Sequence, residues 1–177
     1  MTTAEKAAKK AQATPSQLAT LTDLSKEQVQ AITAAVNPLI ADAFALYVKT
    51  KNYHWHLSGR RFRDLHLLFD EHADAIFASI DIMAERVRRV GGTTVRSISH
   101  IGQLQTIQDD QDPFVPAEEM VRRLMMDNEH IAKNIRAAIE TCEQNKDSAT
   151  ANALEEILDA TERRKWFLFE ISQSDEE

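Results

Sequence analysis

The sequence predicts an all-α protein, a bundle of four long helices with a short helix in the crossover between the second and the third. Three observations carry that expectation. Apolar residues recur every three to four positions through most of the chain, and no stretch alternates apolar and polar as a half-buried strand would. Only four glycines occur in 177 residues, Gly59, Gly91, Gly92 and Gly102, each where a helix would end. Ala, Leu, Glu and Arg, all strong helix formers, are abundant. The length suits one domain with a sizeable core.

The elements follow in order. Residues 1–22 are rich in Ala, Lys, Thr and Gln, contain Pro15 and show no sustained apolar face, which reads as a flexible tail. Ser25 with Gln28 three residues later forms a capping box that opens the first helix. Val29, Ile32, Val36, Leu39, Ile40, Phe44, Tyr47 and Val48 then keep helical spacing, with Pro38 expected to kink or split the run. It ends near Leu57-Ser58-Gly59. The second helix spans about Arg61 to Val90, stopped by Gly91-Gly92. A long connection from Thr93 to Val115 leads through residues 94–98 into one short crosswise helix. Pro116 suits the first position of the third helix, which reaches about Glu143. After the polar turn at residues 145–148, a fourth helix covers about Ala149 to Ser172, leaving an acidic tail at 174–177. Two helical hairpins joined by one long crossover define the ferritin-like kind of four-helix bundle, here at residues 23–173.

Composition narrows the function. The net charge of −7 disfavours nucleic acid as the main partner of the folded body, although Lys6, Lys9 and Lys10 face only Glu5 in the first twenty residues. No apolar run approaches the ~20 residues that span a bilayer, so no membrane partner is expected. The polar start lacks the apolar segment of a secretory signal, and the single cysteine, Cys142, fits a reducing cytoplasm and reads as a small helix residue.

The chemistry concentrates between Lys51 and Gly92. His54 lies about one turn before the Ser58-Gly59-Arg60 corner and His66 about two turns after it, so both sit at one end of the first hairpin. Asp70 follows His66 by four residues, and Glu85 follows Asp81 by four, so each pair stacks on one face. Asp70 and Asp81 are eleven residues apart on a shared face, roughly 16 Å at the helical rise. One metal cannot reach both ends within one chain. An antiparallel two-fold pairing brings the His66/Asp70 end of one copy to the Asp81/Glu85 end of the other, giving two identical sites. Imidazole and carboxylate donors without thiolate suit iron(II), manganese(II) or zinc(II). The plain alternative is a charged surface on which Asp81 and Glu85 pair with Arg86, Arg88 or Arg89. Asp74 lies between the clusters as a neighbour or a bystander, and helical phase puts His72 on the opposite side, at the surface.

This segment resembles the Dps family of mini-ferritins, the DNA-binding proteins from starved cells. The family pattern is a histidine beside tryptophan late in the first helix and a second histidine twelve residues on. Asp at +4, Asp at +11 and Glu at +4 follow. His54 beside Trp55, then His66, Asp70, Asp81 and Glu85, match every spacing. The run Lys51-Asn52-Tyr53-His54-Trp55-His56, the Gly59 corner, Met83-Ala84-Glu85-Arg86 and Gly91-Gly92 also look like the family. The likeness covers residues 25–173. It implies a hollow dodecamer in which His54, His66 and Asp70 face Asp81 and Glu85 of a two-fold neighbour. Fe2+ is oxidised there, preferably by hydrogen peroxide, and the Fe3+ product mineralises in the cavity, which protects DNA; zinc or manganese would compete. Trp55 would relay or quench a radical, or simply pack across the dimer interface. The family's acidic three-fold pores point to Asp127 and Glu129, with His130, as iron-entry candidates, although Asn134 stands where a further acid is expected. Some members bind DNA through lysine-bearing tails, here Lys6, Lys9 and Lys10, and others do not. The competing readings are a nucleoid-binding protein whose ferroxidase activity is secondary, and a purely structural bundle.

Overall fold

The structure, a computed structural model, describes residues 16–173, and these are all helix, turn or connection. Five α-helices form: α1 (Lys26–His56), α2 (Phe62–Arg89), α3 (Ile98–Leu104), α4 (Ala117–Gln144) and α5 (Ser148–Ser172). Helices α1 and α2 form one antiparallel hairpin, α4 and α5 the other; α1 lies against α4, α2 against α5, and α3 crosses α1. This is the expected ferritin-like bundle.

Local chemistry sets the helix ends. The Ser25 hydroxyl accepts from the Gln28 N–H at 3.3 Å while the Gln28 carboxamide accepts from the Ser25 N–H at 2.8 Å, a complete capping box. The Gln28 Nε2 also donates to the Asn145 carbonyl, tying the start of α1 to the α4–α5 turn. Asp147 caps α5 through the Thr150 N–H and accepts a bond from Arg86 at 3.0 Å, which binds the same turn to α2. At the far end of α2, Gly91 adopts φ +97°, and a Cβ on Gly92 would fall 2.1 Å from the Thr33 hydroxyl. Only glycine allows the crossover to leave that close to α1.

Three local expectations are corrected. Pro38 does not split α1, which runs unbroken through it because packing on three neighbours outweighs one missing hydrogen bond. Pro116 is the N-cap of α4 rather than its first residue. By length and composition α1 is apolar enough to cross a membrane, contrary to the expectation that no run would qualify. Its apolar residues Ile32, Val36, Leu39, Ile40 and Leu46 are instead the bundle core. Cys142 is buried there too, and burial pushes its thiol up to about 11.

Polar groups inside the fold fix the crossover. Asp42, fully buried on α1, accepts from the backbone N–H groups of Thr106 and Ile107 and from the Thr106 hydroxyl. The buried Tyr53 hydroxyl donates to Asp110, whose carboxylate also takes Arg123 at 2.7 Å. Arg123 binds Asp112 and Glu119 as well, so the last turns of α1, the crossover and the start of α4 form one network.

Candidate metal centre

The α1–α2 corner turns on Gly59 at φ +102°, with the Phe62 N–H donating to the Gly59 carbonyl at 3.1 Å. That sharp reversal lays the end of α1 against the start of α2. His54, only 8 % exposed, points its Nδ1 at the His66 carbonyl, 2.8 Å away. His66 returns the bond, Nδ1 to the His54 carbonyl, at 3.0 Å. The His54 carbonyl is among the last of α1 and has no partner within the helix, so the imidazole fills a vacancy every helix end presents. The rings stack with centroids 3.8 Å apart and planes 18° apart, and Phe62 stacks on the outer side of His66 at 5.0 Å.

Both carbonyls can only accept, so each histidine carries a proton on Nδ1, and in the neutral ring the lone pair then lies on Nε2. This is the tautomer a metal-binding imidazole needs, held by the arrangement that usually orients such ligands. Asp70 lies alongside, its Oδ1 3.8 Å from His54 Nε2. The Lys51 ammonium sits 2.5 Å from the same oxygen, holding the Asp70 carboxyl below its ordinary range while Asp70 holds Lys51 above its own. Two imidazoles and a carboxylate are donor types that suit a borderline divalent cation such as iron(II), but within the single chain these three do not converge on one point.

The other end of α2 is built differently. Asp81 and Glu85 are exposed, and Glu85 pairs with Arg89 one turn on. With Arg86, Asn152 and Glu156 they line an open cleft between α2 and α5. Among the described residues no group of three or more His, Cys, Asp or Glu is arranged to hold a metal within the single chain. Asp74 is exposed between the two ends, and Trp55, 62 % exposed, stands beside His54 on the outer face of the hairpin.

The remaining candidates are scattered. Asp127 faces Lys49 at 2.8 Å, a partly buried ion pair in which burial raises the carboxyl and Lys49 opposes the rise. Lys49 also donates to the Gln108 carbonyl. Glu129 pairs with Lys133 at the surface, and His130 meets the Thr106 hydroxyl at 2.7 Å and Asn134 at 3.1 Å. Lys6, Lys9 and Lys10 lie outside the described residues. Just beyond them Ser16–Leu18 form a short turn, and Arg88 donates to the Leu18 carbonyl at 2.7 Å, so the chain enters the bundle along the end of α2.

His72 is a correction. It is 5 % exposed rather than at the surface, because Leu65, Phe69, His72 and Ile76 form the core stripe of α2. A bundle helix buries a stripe at least 100° wide, and the side opposite a surface site faces inward. Sequence reading also missed Lys51. Nineteen residues separate it from Asp70, and nothing local signals their meeting.

Comparison with known proteins agrees with this architecture. A ferritin-like domain model matches residues 33–176. An uncharacterised low temperature-induced protein of Nostoc sp. (strain PCC 7120) is 35 % identical over 146 residues, 82 % of each chain. DNA protection during starvation protein 1 of Deinococcus radiodurans is 31 % identical over 82 % of this chain and 70 % of its own. Among solved structures, DpsC from Streptomyces coelicolor superposes with a TM-score of 0.85 at 28 % identity, covering 89 % of this chain and 92 % of that one.

Proposed function

The chain belongs to the ferritin-like family as a mini-ferritin of the Dps type, and on that premise we propose that it oxidises iron(II) and stores the ferric product. His54, His66 and Asp70 of one subunit meet Asp81 and Glu85 of a two-fold neighbour in a hollow dodecamer. Residues 23–173 are the assembling body, and residues 1–22 and 174–177 are appended tails. The observation that carries this reading is the reciprocal His54–His66 lock, which engages both Nδ1 atoms and leaves the His54 Nε2 3.8 Å from Asp70. A bland surface has no reason to hold two stacked histidines in the ligand tautomer.

The chemistry follows from the donors. Fe(II) is the substrate. The imidazoles anchor it, and the carboxylates of the facing subunit favour the more highly charged Fe(III), which lowers the barrier to electron loss. With hydrogen peroxide, two iron(II) ions each give up one electron and the O–O bond is cleaved to two hydroxides, with no hydroxyl radical released. Consuming both reagents inside the shell protects DNA. Peroxide is the preferred oxidant, zinc and manganese compete for the same donors, Asp127, Glu129 and His130 line the entry pore, and the setting is cytoplasmic.

Anaerobic loading with iron(II), addition of stoichiometric peroxide, and size-exclusion with iron detection test the proposal. Ferric iron co-eluting with a particle of dodecamer size supports it; a small iron-free species sinks it. The names of the starvation-protein relatives and the lysines at positions 6, 9 and 10 favour sequence-independent DNA binding as a second activity. A few phosphate contacts per tail are weak, but tails repeated over one shell act together and lose affinity steeply with salt. Deleting residues 1–20 and repeating a gel shift at two salt concentrations decides it: equal binding by the truncated shell removes the tail from the account.

A further inference from the structure

Three arginines follow Glu85 on α2, and the fold disposes of each differently. Arg86 is committed to the start of α5, with Nε on the Thr150 hydroxyl and Nη2 on Asp147, both at 3.0 Å. Arg89 pairs with Glu85 at the surface. Arg88, half-buried, lies three residues after Glu85, where helical spacing favours a pair between them. No such pair forms. The Arg88 Nη1 donates to the Gly92 carbonyl instead, and its Nη2 to the Leu18 carbonyl at 2.7 Å.

The Leu18 carbonyl comes from a segment seventy residues away in the chain. Ser16–Leu18 form one turn, closed by the Ala19 N–H donating to the Ser16 carbonyl at 3.2 Å. The chain then runs over Gly91, where an added Cβ would meet the Thr22 methyl at 3.4 Å and the Thr20 carbonyl at 3.9 Å. The Thr22 hydroxyl accepts from the Leu24 N–H at 3.2 Å, and Ser25 opens α1. The segment is thus a strap, seated on Arg88 at one end and on the cap of α1 at the other. It crosses the end of α2 within one helical turn of Glu85.

We infer that residues 16–18 hold Arg88 away from Glu85, so that the N-terminal strap sets the charge at the Asp81/Glu85 half of the metal centre; the inference rests on the metal-centre reading above. With the strap seated, the guanidinium is divided between two neutral carbonyls. With the strap lifted, only the Gly92 carbonyl competes against a carboxylate one turn away. A charge-assisted bond is roughly twice as strong as one to a neutral acceptor. Arg88 then joins Arg89 on Glu85, and an entering cation has two guanidinium groups to displace instead of one. Whatever draws residues 16–18 off α2 therefore lowers the affinity for a divalent cation.

Zinc(II) is the probe, titrated calorimetrically into the assembled protein. Deleting residues 1–15 removes Lys6, Lys9 and Lys10 and keeps the turn that holds Arg88; deleting residues 1–20 removes both. The first truncation is expected to bind zinc at least as tightly as the full chain, and the second about threefold more weakly. Loss of basic residues by itself strengthens cation binding, so the expected weakening has the opposite sign to a general charge effect. Arg88→Met should restore full affinity in the shorter chain and leave the full-length protein unchanged. Equal affinities for the two truncations, or a weakening that persists in Arg88→Met, overturns the inference. If the shorter chain does not assemble, full-length Arg88→Met decides: unchanged affinity supports the inference, and a change in either direction overturns it. Failure of the full-length protein to bind zinc sinks the metal-centre reading and this inference together.

Discussion

The two ends of α2 hold the two halves of one proposed site, yet they are built on opposite principles. At the start of the helix, His54 and His66 are stacked, mutually hydrogen-bonded and largely withdrawn from solvent. At its end, Asp81 and Glu85 stand in an open cleft, with Glu85 engaged among the described residues by the exposed Arg89. The first half takes its shape within a single chain. The second half acquires a defined geometry only when something packs over it. Directional imidazole ligands profit from preorganisation, since a wrong tautomer cannot bind. Carboxylates rotate freely and accept from many directions, so they can be supplied late, by a neighbour.

That contrast can be broken experimentally. The largest effect is expected from His54→Ala with His66→Ala, which should weaken zinc or cobalt binding by more than about 100-fold with helicity unchanged, followed by titration calorimetry and circular dichroism. A milder outcome would mean that the carboxylate end, not the histidine end, anchors the metal. Next in size is a mixing experiment. Neither the double-His variant nor Asp81→Ala with Glu85→Ala should oxidise iron alone. Dissociated and reassembled together at equal amounts, they should recover about a quarter of the full rate, because mixed pairs regain one intact site of two. Absence of recovery would place both halves of the site in one chain.

His72, on the core side of the same helix, gives a third test. Its folded value, about 4, lies below the ordinary 6.5. The unfolded chain therefore takes up a proton near pH 6.5 that the folded chain refuses, and stability falls as pH drops from 6.5 to 4, then levels. The whole window is worth about 3 kcal/mol. His72→Leu should flatten it in denaturant titrations at several pH values. The smallest effect belongs to Arg89→Ala. Its exposed pair with Glu85 should change metal affinity by about twofold or less, whereas Lys51→Met, which releases Asp70 from a closer cation, should change it more. Reversal of that order would show that the open end, not the closed one, limits loading.

Much of this was readable in the chain, for reasons that differ by residue. Ser25 and Gln28 announce a helix start because a capping box is closed within four residues, and Gly91-Gly92 announce a stop because the needed backbone is local. His66 with Asp70, and Asp81 with Glu85, were legible as pairs because four residues make one helical turn. Lys51 was not, since its partner lies across the hairpin. His72 was misread because phase says which residues share a face but not which face turns inward. Pro38 was overrated because a local rule gave no weight to the packing around α1.

By itself, then, the sequence determined what period and spacing can encode: four long helices, their ends, one long crossover, and ligand-type residues at both ends of α2. Tertiary structure alone decided the His54–His66 lock, the Lys51 counter-charge on Asp70, the burial of His72 and the bond from buried Arg164 to Asn128. Each of these depends on two helices meeting at a particular rotation and height. Contacts between residues distant in sequence are set by how whole faces pack, and a helical repeat carries no record of that choice.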